Sequence, residues 1–165
     1  MIVTPPTMIL CHYLTPNNIV VLKQPKSKES LLRELALDLV KVNKLDGVGD
    51  IATSIVEREA QGSTFIPTGI AIPHTRTAGV SEIQLMLGAI PEGFQETPES
   101  EITYLVFLFV SPTQEKEFGN HLKFLAKISS IFNDPTFVKD VAKIADPDKI
   151  FAMIQQKERA ENSNV

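Results

Sequence analysis

The chain has 165 residues, of which 43% are hydrophobic and 22% charged, enough apolar material for one globular domain with its own core. Its formal net charge is −4, and no segment gathers Lys and Arg into the basic stripe that nucleic-acid binding requires. The longest strongly apolar run, Ile102 to Val110, is about half of the roughly 20 residues needed for a membrane-spanning helix. We therefore expect no nucleic acid as a partner and no direct membrane insertion.

Cysteine usage and the first residues bear on the compartment and on metal binding. The single Cys11 cannot form an internal disulfide, and the start of the chain lacks the basic and apolar regions of a signal peptide. A reducing cytoplasm is the expected setting. Cys11 and His12 do not combine with the other two histidines into a compact zinc pattern. The sequence thus predicts neither a metal nor a cofactor.

The N-terminal third predicts an irregular start, a short strand and a helix. Residues 1–18 contain Pro5, Pro6 and Pro16 without a sustained period, and the β-branched run at 19–21 is typical of an edge strand. Apolar residues then recur at helical spacing from about 28 to 43, and Ser27 is placed to cap the first turn.

A second helix is predicted after a glycine-rich break. Gly47 and Gly49 interrupt the chain, Asp50 opens a new helical pattern, and Gly62 closes it. Arg58 lies inside that pattern and, by helical geometry, beside its apolar stripe.

The rest of the chain predicts two strands and then helices. Strands are expected at 83–90 and 102–110, and the second is so continuously apolar that it belongs at the centre of a sheet covered on both faces. Helices are expected at about 116–132, at 135–144 and at 147–157, with a frayed tail after Arg159. The apolar face of the first of these helices would carry Phe118, Leu122, Leu125 and Phe132. The predicted fold class is α/β: a single-domain sandwich with one mixed sheet covered by helices on both faces. Its core would span about 8–158 of a single domain at 1–165.

The run Gly69 to His74 carries the clearest chemical signal. A short apolar strand leads into Pro73, which fixes its own φ and favours extended geometry at Ile72, so His74 is presented on a stiff support. An imidazole held by one ring nitrogen leaves the other free as a nucleophile. The alternative is that His74 only ends a strand.

Arg58 and His121 each allow a structural or a functional interpretation. Arg58 either lays its stem along apolar surface and pairs with Glu57 or Glu59, or offers a fork for phosphate oxygens. His121 lies near the start of the late helix, on or beside its buried face, where it is either an interior histidine or a group that favours an anion.

These residues together resemble a known family. Arg58-Glu59, Ser63-Thr64, the run GIAIPH at 69–74, the apolar strand from 102 and His121-Leu122 follow the order found in the fructose/mannitol-type enzyme IIA of the bacterial sugar phosphotransferase system, which includes a nitrogen-regulatory branch. The resemblance covers roughly residues 8–158.

The resemblance implies a phosphoryl relay. His74 would take phosphate from the histidine-containing phosphocarrier protein and pass it to a IIB component. Arg58 and His121 would line the site and steady phosphate and imidazole, and Thr64 would be a nearby hydroxyl donor. A regulatory module whose phosphorylation state selects its protein partner is the main alternative, and a degenerate binding module is a third.

Two departures from the family's usual pattern lie beside the motif. Pro67-Thr68 stands where the family usually has Gly-Asn, and Thr75-Arg76 stands where a small residue often follows the histidine. Arg76 either adds positive potential for phosphate or is a solvated loop charge, and we expect the latter.

Overall fold

A computed structural model describes residues 7–45 and 50–163. Within these residues, the strands are β1 Ile19–Val21, β2 Phe65–Ile66, β3 Ile70–Ala71, β4 His74–Thr77, β5 Gln84–Phe94 and β6 Thr103–Pro112. The helices are α1 Lys28–Val42, α2 Ile51–Gln61, α3 Phe118–Ile131, α4 Pro135–Lys143 and α5 Pro147–Ser163. Short 3₁₀ turns lie at Leu10–His12, Pro16–Asn18 and Glu115–Glu117.

The strands form one mixed sheet in the order β1-β5-β6-β3-β2, and β4 also pairs with β6. β5 and β6 are antiparallel, whereas β1 lies parallel to β5, and β3 and β4 lie parallel to β6. The nearly continuous apolar strand is thus central and the run at 19–21 is an edge strand, as predicted.

Alternate residues of β6 pack into two separate hydrophobic cores, one on each face of the sheet. Phe107 and Phe109 pack on one face with side chains of α3, α4 and α5, whereas Val106 and Leu108 pack on the other with α1 and α2. Because side chains of a strand point alternately to opposite faces, a strand covered on both sides must be apolar at nearly every position. This arrangement confirms the predicted fold class.

The predicted helix starts are confirmed where the structure describes them. The Ser27 side chain accepts a hydrogen bond from the backbone N–H of Ser30, and Asp50 accepts one from Thr53, so each caps its helix. The predicted break at Gly47 and Gly49, and the prolines at 5 and 6, lie outside the described residues.

Two predictions about the C-terminal helices are wrong. The tail after Arg159 is not frayed, because α5 continues to Ser163 and Asn162 accepts a hydrogen bond of 2.7 Å from the Lys127 ammonium on α3. The apolar face of α3 is predicted only in part: Phe118 and Leu122 are 45% and 51% exposed, whereas Phe132 is buried and Leu125 packs against the core. The buried stripe is instead His121, Phe124, Ile128 and Ile131.

The strands also differ from the prediction. β5 continues past Pro91 to Phe94, with a register shift against β6 between Ala89 and Phe94. β2 and β4 were not predicted, since neither two nor four residues give a measurable period. Among the described residues, no helix is long and apolar enough to cross a membrane.

Candidate functional site

His74 is positioned by a strand that is interrupted once. β3 and β4 lie along the same edge of β6, with Ile70 opposite Leu105 and His74 opposite Phe109. Pro73 has no N–H to offer at the interruption, but its carbonyl accepts a hydrogen bond of 3.1 Å from Phe109. The predicted stiff support is therefore β6, and His74 begins a strand instead of ending one.

The imidazole of His74 is held through Nδ1. Nδ1 lies 2.7 Å from the carbonyl oxygen of Ile72, and the ring stacks on Phe109 with centroids 5.1 Å apart. A carbonyl oxygen only accepts, so Nδ1 carries the proton of this hydrogen bond. The lone pair of the neutral ring is then on Nε2.

The surroundings of His74 favour its neutral form. Burial lowers the pKa of His74 below its ordinary value of 6.5, and the positive charge of Arg58 lowers it further. The hydrogen bond to Ile72 and the Glu59 carboxylate act in the opposite direction without reversing the shift. A neutral imidazole is the nucleophilic form of histidine.

His121 lies against His74 from the first turns of α3. The two ring centroids are 5.0 Å apart, and His121 is only 5% exposed. Its Nδ1 is 2.6 Å from the Ser111 hydroxyl at the end of β6. Burial, together with His74 and the arginines 76 and 58, lowers the pKa of His121 to about 4. His121 is therefore a neutral interior histidine that also touches the candidate nucleophile.

Arg58 lies in the last turn of α2 and is partly exposed. Its guanidinium donates one hydrogen bond of 3.3 Å, to the Gly62 carbonyl. Its charge lowers the pKa of both histidines, so its field acts on the same site. The neighbouring Glu59 does not pair with it and instead forms an ion pair with Lys28 at 3.2 Å.

Thr64 is brought to the site by Glu59. The buried Glu59 carboxylate accepts hydrogen bonds of 2.7 Å from both the backbone N–H and the hydroxyl of Thr64. The hydroxyl proton of Thr64 is therefore engaged in this structure. The expected role of Thr64 as a donor to phosphate stays a prediction that requires this bond to exchange.

Arg76 is not the solvated loop charge that we expected. It lies in β4, where its guanidinium donates hydrogen bonds of 3.1 Å to the carbonyls of Pro112 and Gln114. The guanidinium also lies over the Phe118 ring, 5.1 Å from its centroid. Since β4 pairs with β6, Arg76 is fixed two residues from His74 and contributes positive potential at His121.

His74 opens into a cleft of about 340 Å³ between the β2–β3 segment and α3. The cleft is mostly apolar at its α3 side and carries hydroxyls at its β2 side. Its lining residues are Ser63, Thr64, Ile66, Ile72, His74, Leu125, Ala126 and Ser129.

Cys11 and His12 are not joined to this site. Both lie in the 3₁₀ turn at 10–12, where the backbone N–H of Cys11 donates to Glu158 of α5. In the described ranges, 7–45 and 50–163, no group of three or more His, Cys, Asp or Glu side chains is arranged to hold a metal ion.

Sequence reasoning did not assign the roles of two residues of the site, Glu59 and Ser111. Glu59 is four residues after Ile55 and eight after Ile51, so a helical count places its carboxylate on the buried stripe of α2. Ser111 ends an otherwise apolar run and is 1% exposed. In both cases the sequence carried one signal: a polar residue stands at a position that the apolar pattern assigns to the core.

Comparison with known proteins identifies the family of the chain. The sequence model "Phosphoenolpyruvate-dependent sugar phosphotransferase system, EIIA 2" matches residues 12–157. The fructose-specific EIIABC component of Bacillus subtilis is 29% identical over 92% of the chain, which spans only 24% of that relative. The nitrogen regulatory protein of Bradyrhizobium diazoefficiens is 27% identical over 89% of the chain and 95% of its own length.

The fold is found in a solved structure as well. The complex of enzyme IIAMTL and phosphorylated enzyme IIBMTL from Escherichia coli contains a chain with a TM-score of 0.70 at 19% identity, covering 86% of this chain and 96% of that one. Since the family model covers most of the 165 residues, the chain belongs to the EIIA 2 family of the phosphoenolpyruvate-dependent sugar phosphotransferase system.

Proposed function

We propose that this chain is a phosphoryl carrier whose acceptor atom is Nε2 of His74. The histidine-containing phosphocarrier protein is the proposed donor, and a IIB component is the proposed acceptor. The observation that carries the proposal is the 2.7 Å contact of Nδ1 with the Ile72 carbonyl, since it leaves the lone pair on the other ring nitrogen. Membership of the EIIA 2 family supports the same role.

The chemistry needs only one bond exchange. The P–N bond of the donor's phosphohistidine breaks and its electron pair returns to the donor ring, while the lone pair of His74 Nε2 forms the new P–N bond. The proton on Nδ1 stays in place, so the phosphorylated ring carries a positive charge that the Ile72 carbonyl stabilises. Transfer between two such rings asks mainly for alignment and charge neutralisation.

The charges beside His74 suit a group that arrives with about two negative charges. Arg58 lowers the pKa of both histidines, and Arg76 lowers that of His121. Arg58 uses one hydrogen bond on Gly62, and a guanidinium has five donors in all. We therefore propose Arg58 as the phosphate clamp and His121 as an orienting or donating group, with Thr64 nearby.

The surface around the site suits a protein as the donor. Phe118 and Leu122 are exposed on α3 on either side of the buried His121. A protein donor must bring its phosphohistidine against His74, and exposed apolar side chains at that place give it a surface on which to dock.

The test is intact-mass analysis after incubation with phosphoenolpyruvate, enzyme I and the phosphocarrier protein. We expect one acid-labile phosphate on the wild type and on His12→Ala, a matched histidine variant outside the site. His74→Ala should gain none, and His121→Ala should gain phosphate more slowly while remaining folded by circular dichroism. Full labelling of His74→Ala would overturn the proposal.

A regulatory role is the second candidate, because the nitrogen regulatory relative matches along nearly its whole length. In that case the phosphorylated and free forms would differ in protein binding, and transfer to a IIB component would be slow. Adding purified IIB components to the phosphorylated chain separates the two roles. Rapid loss of the phosphate to a IIB component supports sugar transport, whereas a stable phosphate under the same conditions supports regulation.

A further inference from the structure

Ser111 carries a buried hydroxyl that makes one hydrogen bond. It lies near the end of β6, is 1% exposed, and its Oγ is 2.6 Å from Nδ1 of His121. Within the described part of the chain, this ring nitrogen is the one hydrogen-bond partner of the Ser111 side chain. The hydroxyl proton therefore has a single place to go.

Hydrogen-bond satisfaction decides which group donates. If the Ser111 hydroxyl donates, Nδ1 of His121 accepts and the buried hydroxyl proton is used. The ring proton then lies on Nε2, which is not among the fully buried side-chain atoms that lack a partner in the described part of the chain. If Nδ1 donates instead, the hydroxyl proton is left buried without an acceptor, which costs about 1–3 kcal/mol. The first arrangement is favoured, and it places the ring proton of a neutral His121 on Nε2.

The neutral state of His121 has an independent basis in its position. The ring is 5% exposed and lies between the His74 and Phe118 rings, with centroids 5.0 and 6.0 Å away. The guanidinium of Arg76 lies over that same Phe118 ring. A second positive charge is unfavourable here, and the pKa of His121 is accordingly lowered to about 4.

We propose that Ser111 is a positioning residue that fixes the proton of His121 on Nε2, so that His74 offers a lone pair while the adjacent His121 offers a proton. The inference rests on the proposed function, since the proton on Nε2 of His121 can be donated to phosphoryl oxygens only when they are bound at His74. The two rings are held in opposite tautomers by two different partners, the Ile72 carbonyl, which accepts, and the Ser111 hydroxyl, which donates.

The test is ¹⁵N NMR of the imidazole rings, which distinguishes a protonated from an unprotonated ring nitrogen without any phosphoryl donor. In the wild type at neutral pH, we expect His121 to be protonated on Nε2. Ser111→Ala should shift the tautomer population towards Nδ1, and Ser111→Cys, with a weaker donor of similar size, should give an intermediate shift. Thr103→Val is the matched control, since it removes a buried hydroxyl from the other end of β6.

The kinetic arm tests whether the tautomer is used. Ser111→Ala should slow phosphoryl gain about 10-fold, the value of one hydrogen bond of about 1.4 kcal/mol. The double variant with His121→Ala should be no slower than His121→Ala alone, because Ser111 acts only through that ring. Thr103→Val should match the wild type.

The outcomes separate this inference from the proposed function. A wild-type His121 protonated on Nδ1, or an unchanged tautomer in Ser111→Ala, would overturn the role of Ser111 whether or not phosphate is gained. A shifted tautomer with an unchanged rate would overturn it as well. Absence of phosphate on the wild type would count against the proposed function alone, while the tautomer result would still be read.

Discussion

His74 and His121 are the same side chain in two different settings. His74 is partly buried and stacked on Phe109, with a backbone carbonyl on Nδ1, whereas His121 is almost fully buried and meets a hydroxyl. The partner of His74 is local, because Ile72 is two residues away, whereas Ser111 reaches His121 only because the start of α3 packs against the end of β6. The two rings therefore have different hydrogen-bond partners.

Arg58 gives a direct prediction at this scale. Arg58→Lys should slow phosphoryl gain by His74 about 10-fold, because an ammonium keeps the charge but cannot make a two-pronged contact with phosphate oxygens. The measurement is rapid-quench labelling under single-turnover conditions. Arg33→Lys is the control, as Arg33 lies on α1 and pairs with Glu29. Equal rates for Arg58→Lys and wild type would show that Arg58 does not contact the phosphate and is an ordinary surface residue.

The lowered pKa values predict how stability depends on pH. An unfolded histidine binds a proton near pH 6.5, whereas folded His121 does so only near pH 4. Between pH 4 and pH 6.5 the unfolded chain therefore binds a proton that the folded chain does not. The contribution of neutral His121 to the free energy of unfolding is complete above pH 6.5 and is lost as the pH falls towards 4.

The measurement is urea unfolding of the wild type and His121→Gln at several pH values. The difference in unfolding free energy between the two should shrink as the pH falls from 6.5 to 4, because glutamine does not titrate. A constant difference over that window would contradict the lowered pKa. An NMR titration of His74 should likewise give a midpoint below 6.5.

Among the elements, the turn between β2 and β3 decides where the strand of His74 begins. Gly69 has a φ of +100°, its N–H donates to Ile66, and its carbonyl accepts from Tyr104 and Leu105 of β6. This turn contains the Pro67-Thr68 departure that the sequence indicated, and it still delivers β3 to β6 in register. A residue with a Cβ is strained at that φ and meets Val138 at 3.3 Å.

Gly69→Ala should therefore lower the free energy of unfolding by about 1–3 kcal/mol. Gly62→Ala is the matched control, since its φ is 174° and an added Cβ meets nothing within 4 Å. Chemical denaturation of both variants checks this. Equal stability of the two would mean that the backbone at Gly69 relaxes freely.

The helix α3 shows what an apolar pattern can and cannot predict. Its existence and length are predicted, but it carries apolar residues on more than one side, so periodicity does not select the face that is buried. Phe109 selects it, because its ring packs edge-on against Phe124 at 4.9 Å and turns the stripe through His121 inward. The exposed Phe118 and Leu122 then become available for partners.

Across the whole molecule, the ends of the chain are joined by one buried carboxylate. Glu158 of α5 accepts hydrogen bonds from the backbone N–H groups of Leu10 and Cys11 and lies 3.8 Å from the Lys127 ammonium. Desolvation and this carboxylate raise the pKa of the Cys11 thiol to about 12, so it is an unreactive thiol.

Glu158→Ala should lower the free energy of unfolding by about 3–5 kcal/mol, because it leaves two backbone donors without their acceptor and removes the carboxylate beside the Lys127 ammonium, which keeps its hydrogen bond to Asn162. Glu161→Ala, a partly exposed neighbour on the same helix, should change it by less than about 0.5 kcal/mol. Thermal and urea unfolding measure both. Similar values for the two variants would mean that the ends are held by apolar packing alone.

The sequence predicts most elements and the candidate nucleophile, because helical periodicity, capping residues and the Pro73-His74 pair are local signals. It does not predict β2, β4, the buried face of α3, or the roles of Glu59 and Ser111. β4 and the buried face of α3 depend on contacts with β6, such as the pairing of His74 with Phe109 and the packing of Phe109 on Phe124. The contacts of Glu59 with Thr64 and of Ser111 with His121 are nearer along the chain, but they join single side chains and leave no periodic pattern. Periodic patterns therefore predict the elements, and individual side-chain contacts complete the site.

The measurement that tests the central claim most directly is NMR of the phosphorylated chain with ¹⁵N-labelled histidine. The account predicts a single phosphohistidine at His74 with phosphorus coupled to Nε2, while Nδ1 keeps its proton on the Ile72 carbonyl. Phosphorus bound to Nδ1 of His74, or to another histidine, would contradict it.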